Sequence, residues 1–259
     1  MSNFVVNPYN FVAGAIDDTG LKSYHKFNEV SPNDILNVSE ADASIGSAAD
    51  IQISGATYNV DDGSPFGYSM LFESSGSPPT AGDSGVYGTS KSIWNYKHST
   101  TAKWTMCFWL RWRTLTDYVW LNGNSQANGA GNYCYNSGNA TFYNSIRNSD
   151  GDAILNFNSP NGYFPDTDNF YFYSVTYDQS LTDTNCEIRR NNADPETYDK
   201  TAFTPSNANS VEVRTIATMP QSPDWYANFN VCEWSEWDRV LTDAELAALF
   251  NGGSGAAIY

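Results

Sequence analysis

Ring-bearing and aliphatic residues recur at every second position in short runs along most of the chain, and turn-forming residues separate the runs. The alternation is clearest between Lys103 and Arg113. There Trp104, Met106, Phe108, Leu110 and Trp112 share one face of a strand, while Cys107 and Trp109 share the other with Arg111 and Arg113. Rings on both faces predict a central strand covered on both sides. The same period predicts strands at 21–29, Ile51–Ile53, Ala56–Val60, Tyr68–Phe72, Ile93–Tyr96, Tyr118–Leu121, Tyr133–Tyr135, Thr141–Ile146, Ala153–Phe157, Phe170–Tyr177, Cys186–Arg190, Val211–Ala217 and Asn228–Trp237. Asn122-Gly123, Gly129 to Asn132, Ser137-Gly138-Asn139 and Asp150-Gly151 have the chemistry of hairpin turns. The region from Ser31 toward Gly55 and the Gly/Ser/Pro stretch Ser74–Gly88 read as loops. Residues 1–17, with Phe4, Val5, Val6, Tyr9 and Phe11 around Asn7-Pro8, read as an N-terminal arm on a body of residues 18–259.

One helix is predicted, close to the C-terminus. Thr242 is placed as its N-cap, and Glu245, three residues on, completes a capping box. Leu241 and Leu246 occupy the two positions of a hydrophobic staple, and Gly252 or Gly253 supplies the left-handed stop. Before it, VCEWSEW carries rings and carboxylates on both faces of the last strand.

Composition supports one all-β domain. The 259 residues are 41% hydrophobic and 15% aromatic, enough for one large core, and sandwiches of this length commonly form a single unit. A net charge of −16 repels phosphate backbones and anionic membranes, which argues against nucleic-acid partners and membrane insertion, and leaves a homo-oligomer open. Four cysteines are too few for a disulfide scaffold; Cys107 and Cys232, inside apolar strands, read as buried free thiols. The first residues lack the basic and apolar regions of an export signal, and no segment approaches 18 apolar residues, so the expectation is a chain synthesised in the cytoplasm.

Catalytic chemistry finds little support. Glu233 and Glu236 fall on opposite faces of a strand, and only Glu236 and Asp238 share one, in a position where Asp238 also suits the strand exit. Gly82-Asp83-Ser84-Gly85 has the residues of a serine nucleophile motif but no accompanying histidine context, and reads as a flexible loop. The expectation is a protein that is not an enzyme.

Asp238-Arg239, Leu241-Thr242-Asp243, Glu245-Leu246 and Leu249-Phe250-Asn251-Gly252 together resemble the closing segment of laminin-G-like jelly rolls, of the concanavalin A-like lectin/glucanase superfamily. Residues 21–29, Tyr68–Glu73, Trp104–Trp112 and Phe170–Asp178 are similar, in order, to earlier strands of that family, with Tyr173 standing where relatives carry His. The resemblance implies a two-sheet antiparallel jelly-roll sandwich with a short C-terminal helix. It also implies one structural calcium ion, for which Glu29, Asp61, Asp62 and Asp238 are the candidates by segment order. Glycan contact would use rings at hairpin and loop ends: Trp94, Tyr96, Trp120, Tyr133, Tyr135 and Trp225. The function expected is a non-enzymatic virion surface component, a capsid decoration or a head or tail fibre of a phage. Residues 1–17 would dock on the particle, and the outer surface would bind cell-surface glycans. A free-standing carbohydrate-binding lectin domain and a polysaccharide hydrolase or lyase are the alternatives.

Overall fold

The computed structural model describes residues 16–28, 49–60, 62–76, 79–88, 90–125, 129–219 and 222–258. Its strands are Leu21–His25 (β1), Ile51–Ser54 (β2), Thr57–Val60 (β3), Tyr68–Phe72 (β4), Ser74–Gly76 (β5), Pro79–Gly82 (β6), Ser84–Tyr87 (β7), Lys103–Trp112 (β8), Tyr118–Gly123 (β9) and Gly131–Ser137 (β10). Phe142–Arg147 (β11), Ala153–Asn158 (β12), Tyr171–Asp178 (β13), Cys186–Arg190 (β14), Glu196–Tyr198 (β15), Thr215–Ile216 (β16), Thr218–Met219 (β17), Ser222–Tyr226 (β18) and Phe229–Trp237 (β19) follow, and Asp243–Phe250 forms the helix α1. The first sheet runs β15-β14-β13-β8-β19-β4-β3, with β1 also on β19; the second runs β12-β11-β10-β9-β16-β7-β2. All the pairings are antiparallel. The fold is therefore all-β, a two-sheet sandwich with one short C-terminal helix.

The double-faced pattern of β8 explains its central place. Trp104, Met106, Phe108, Leu110 and Trp112 fill the core between the sheets, and Cys107 and Trp109 join a second cluster with Leu241, Leu246 and Leu249 under α1. The outer face of the first sheet is thus closed by the helix. The capping box forms as the sequence predicts: Glu245 N donates to Thr242 Oγ1 at 3.3 Å, and Thr242 N donates to Glu245 Oε2 at 2.7 Å. Arg239 explains the rest of that motif. It donates to both Glu245 oxygens, at 3.1 and 2.6 Å, and to the Thr19 carbonyl at 2.7 Å, tying the approach to β1 to the start of α1. Asn251, at φ 48, takes the left-handed stop, one residue before the expected glycines.

β19 carries the decisive irregularity. Its register on β8 shifts between Cys232 and Ser235, and Glu233 sits there at φ 51. This is a β-bulge, which changes which residues face inward. Before it, Phe229 and Val231 point into the core; after it, Trp234 does, stacked on Phe108 at 4.6 Å.

Several expectations need correction. Ser92–Lys97 is a 3-10 turn rather than a strand, because its Trp94 ring is drawn into the core beside Tyr87. Ser74–Gly88 contains β5, β6 and β7 rather than one loop, and Gly82-Asp83-Ser84-Gly85 enters β7. Asn122-Gly123 belongs to β9, where Tyr133 lies too close for any side chain at Gly123. Of Val211–Ala217 only Thr215–Ile216 is strand. Residues 1–15 of the predicted arm lie outside the described residues.

Candidate functional site

Three polar places stand out in this framework. The first is inside the core. Glu236, Lys97 and Arg214 are each 0% exposed, brought together by β19, the 3-10 turn and the segment entering β16. Arg214 Nη2 donates to both Glu236 oxygens at 3.0 and 3.1 Å, and Arg214 Nη1 donates to Asn132 Oδ1 at 3.1 Å. Lys97 Nζ lies 2.6 Å from Glu236 Oε2, and the Trp234 indole N–H donates to Oε1 at 2.9 Å. The guanidinium lies 4.7 Å from the Trp94 ring centroid and the ammonium 4.3 Å from that of Trp104. Burial would raise the Glu236 pKa, but Arg214 and Lys97 overcome it and hold the group at about 2. Burial acts more strongly on Lys97 than its partner does, and lowers it to about 8. A carboxylate sealed from solvent, with both oxygens held by cations, is out of reach of a glycosidic oxygen. The triad is a structural device, and Glu236 is not available for hydrolysis.

The second place lies beneath α1. The bulge turns Glu233 outward, where the Tyr24 and Tyr68 hydroxyls donate to its two oxygens. Burial, and then the Glu233 charge, raise the Tyr24 pKa, which keeps its hydroxyl a donor. The cavity beside them is about 10 Å³, room for one water.

The third is the outer face of the second sheet, where β9 to β12 set their alternate side chains away from the core. Tyr135 pairs directly with Trp120 on one side and Tyr143 on the other, and Tyr143 pairs with Asn158. The rings form a near-parallel ladder. Trp120 and Tyr133 lie 5.6 Å apart at 11°, Tyr133 and Tyr135 6.2 Å apart at 5°, and Tyr135 and Tyr143 4.4 Å apart at 29°. Tyr118, 56% exposed, extends the ladder at 6.3 Å from Tyr135. Met219 of the β17–β18 hairpin packs on Trp120 and Tyr133 and covers that end, while Tyr135 and Tyr143 stay partly exposed and Asn156 and Asn158 exposed. Burial first, then the neighbouring Tyr133 hydroxyl, push the Tyr143 pKa up to about 12. Arg147 lies 5.8 Å from the Tyr133 ring centroid and donates from Nε to its hydroxyl at 3.2 Å.

The six rings expected to contact glycans therefore separate. Trp120, Tyr133 and Tyr135 come together on the outer face, where only Tyr135 of the three keeps substantial exposure. Trp94, 1% exposed, lies in the core against Arg214, and Tyr96 packs on the same core. Enclosed in the core, the Trp94 ring has no face to offer a sugar, whereas Tyr96 stays partly exposed. Trp225 falls in β18, whose side chains lie outside the described residues. Tyr143 escaped the sequence reading, although its two-residue spacing from Ser145, after the Ser137–Asn139 turn, marks it as outward-facing.

Two of the calcium candidates, Asp62 and Asp238, lie apart from one another. Asp62 accepts from Ser64 N at 3.1 Å and from the Ser69 hydroxyl, and lies 3.8 Å from Arg111. Asp238 pairs with Lys22 at 3.0 Å. Asn230, whose Nδ2 is 3.4 Å from Asp62, and Asp238 lie at opposite ends of β19, roughly 25 Å apart along an extended strand. Glu29 and Asp61 lie outside the described residues. Among the described residues, no group of three or more His, Cys, Asp or Glu side chains is arranged to hold a metal ion.

No family model matches the chain, and no curated protein matches it. Solved structures do. The binding domain of Paraclostridial Mosquitocidal Protein 1 aligns with a TM-score of 0.63 at 14% identity, over 91% of this chain and 53% of that one. The binding domain of Botulinum neurotoxin DC, solved with rat synaptotagmin II, gives 0.61 at 13%, over 90% and 52%. Trypanosoma rangeli sialidase, solved with sialic acid, gives 0.58 at 11%, over 90% and 33%. The fold is a jelly-roll sandwich. The chain spans about half the length of these toxin binding domains, and at such identities the likeness is one of fold.

Proposed function

We propose that this chain is a non-enzymatic, surface-exposed binding protein whose outer aromatic face contacts glycans, and that it serves on a virion, docked through residues 1–17. The observation that carries the glycan reading is the open row Tyr118–Tyr135–Tyr143, flanked by exposed Asn156 and Asn158. Aromatic rings bury the apolar faces of sugars while amides and hydroxyls satisfy their hydroxyl groups. The other sheet's outer face is covered by α1, which leaves this one as the broad aromatic surface among the described residues. The toxin binding domains it resembles in fold include one solved in complex with SialylT, which makes sugar recognition a natural use of such a sandwich. The strand–helix closure through Arg239, Thr242 and Glu245 supports grouping the chain with laminin-G-like sandwiches. Four buried free thiols suit synthesis in a reducing cytoplasm, as for particle components released by lysis.

A glycan array probed with the wild-type chain and with Tyr135→Ala and Tyr143→Ala tests the binding role: the expected result is binding lost in both variants. Binding that survives both substitutions rules out the face. Co-sedimentation with the particle, abolished by deleting residues 1–17, tests the virion role; equal sedimentation of the deletion variant contradicts it.

A further inference from the structure

We infer that the occupant of the outer face is an extended, uncharged, β-1,4-linked glycan about three rings long, an inference that rests on the glycan-contact reading above. Its direction comes from the register. Trp120, Tyr135, Tyr143 and Asn158 are successive cross-strand partners, so they form a straight line across β9, β10, β11 and β12 rather than along any strand. Met219 covers Trp120, so on β9 the exposed end of the row is Tyr118; with neighbouring strands about 4.8 Å apart, the row from β9 to β12 measures about 14 Å. That length holds roughly three hexose rings in a chain whose successive rings keep one line, as β-1,4 linkage does. Both ends are set by the fold. The β17–β18 hairpin runs beside β9 and closes one end through Met219, and β12 is the edge strand at the other, where Asn156 and Asn158 are exposed.

The charge of the ligand comes from what the face presents. Beyond the hairpin, its outward positions are Tyr118, Tyr135, Ser137, Tyr143, Ser145, Arg147, Ala153, Asn156 and Asn158. Apart from Arg147 and the Ala153 methyl, these side chains carry hydroxyls, amides and rings, with no carboxylate and no larger aliphatic group. A protein partner anchored by aliphatic side chains would find no matching pocket, whereas a polyhydroxylated chain finds a ring and a hydrogen-bonding group at each step. Arg147, the cation nearest the ladder, is held at its covered end, beside Tyr133, by bonds to the Tyr133 hydroxyl and to the Gly151 carbonyl, 2.6 Å away. The chain as a whole carries a net charge of −16, which repels sialylated or sulfated sugars. Ser137 Oγ already donates to Asn158 Oδ1 at 2.9 Å, which orients that amide so that its Nδ2 group is left to donate outward.

Isothermal titration of the full chain with cello-, chito-, manno- and xylo-oligosaccharides of one to five rings, and with a sialylated trisaccharide, tests this. At least one neutral series should gain tenfold or more in affinity between two and three rings and less than twofold per ring beyond. The sialylated trisaccharide should bind at least tenfold more weakly than that neutral trisaccharide. Tyr143→Ala should lose tenfold or more while keeping the native circular-dichroism spectrum and a cooperative melt, and Asn158→Ala, at an exposed position, should lose severalfold. A sialylated ligand that binds as tightly, or affinity that stops rising at one ring while Tyr143→Ala still abolishes binding, overturns the inference and leaves the face as a glycan site. Neutral and charged sugars that all fail to bind, or bind equally to the tyrosine variants, sink the glycan reading itself.

Discussion

Replacing Glu236 by Gln leaves Lys97 and Arg214, both fully buried, facing a neutral amide. The magnitude can be reached in two ways. Removing one partner of a buried ion pair costs about 3–5 kcal/mol, because the remaining charge stays desolvated. Holding the Glu236 pKa at about 2 instead of 4.5 corresponds to a stabilisation of the same order, roughly 3 kcal/mol. The two agree, so Glu236→Gln should lower stability at pH 7 by about 3–4 kcal/mol, as measured by urea unfolding followed by circular dichroism and tryptophan fluorescence. The sign with pH is also fixed. A carboxylate whose pKa is depressed in the folded state contributes its full share above about pH 4.5 and loses it as pH falls through about 2. The stability difference between wild type and variant should therefore be flat from pH 7 to 5 and close below pH 4. A loss under 1 kcal/mol at pH 7, or a gap that persists unchanged at pH 2, would refute the triad as a net stabilising arrangement.

Four further outcomes follow from the same geometry. Lys97→Met should change stability by less than about 1 kcal/mol at pH 7, since burial costs this ammonium more than Glu236 returns and Arg214 still meets the carboxylate; urea unfolding checks it. Gly85→Ala should cost about 1–3 kcal/mol by the same measurement, because a Cβ there would come within 2.5 Å of Ile216 Cγ2 and 2.8 Å of Ile51 Cγ2. Thr242→Ala should cost about 1 kcal/mol and lower the melting temperature by a few degrees, through loss of the cap on α1. All four thiols are buried, with the Cys134 pKa pushed up to about 12 by burial, so a thiol reagent should react with none in native protein and with all four in urea.

The parts of this fold that could be read from the sequence are those where local pattern and tertiary environment agree. In β8 strict alternation matched two covered faces, and around Thr242 the cap residues matched a real helix start. The misreadings occur where a distant contact decides the outcome. Ile93 to Tyr96 alternates like a strand, yet the chain curls so that Trp94 enters the core and Lys97 reaches a glutamate 139 positions away. Gly85 looked like a loop residue but is a strand residue, small because Ile51 and Ile216 press on it from two neighbouring strands. The role of Glu236 was hidden for the same reason: nothing near it in sequence announces two buried cations. Half of the outer face was legible, through Trp120, Tyr133 and Tyr135, but its exposed continuation to Tyr143 and Asn158 depends on the register of β10, β11 and β12. Trp94 and Trp120 show the limit of reading rings near turns as exposed, since large aromatics there were needed to fill the core and to seat the hairpin.

The claim most in need of a direct test is that β9 to β12 form the recognition surface. Amide chemical-shift mapping on the isotope-labelled chain, titrated with the tightest neutral trisaccharide, reads it out residue by residue. The account predicts that the largest shifts fall at Tyr118, Tyr135, Ser137, Tyr143 and Asn158. Shifts concentrated instead at Asp62, or at Thr242 and Asp243 beside α1, would place the ligand elsewhere and contradict it.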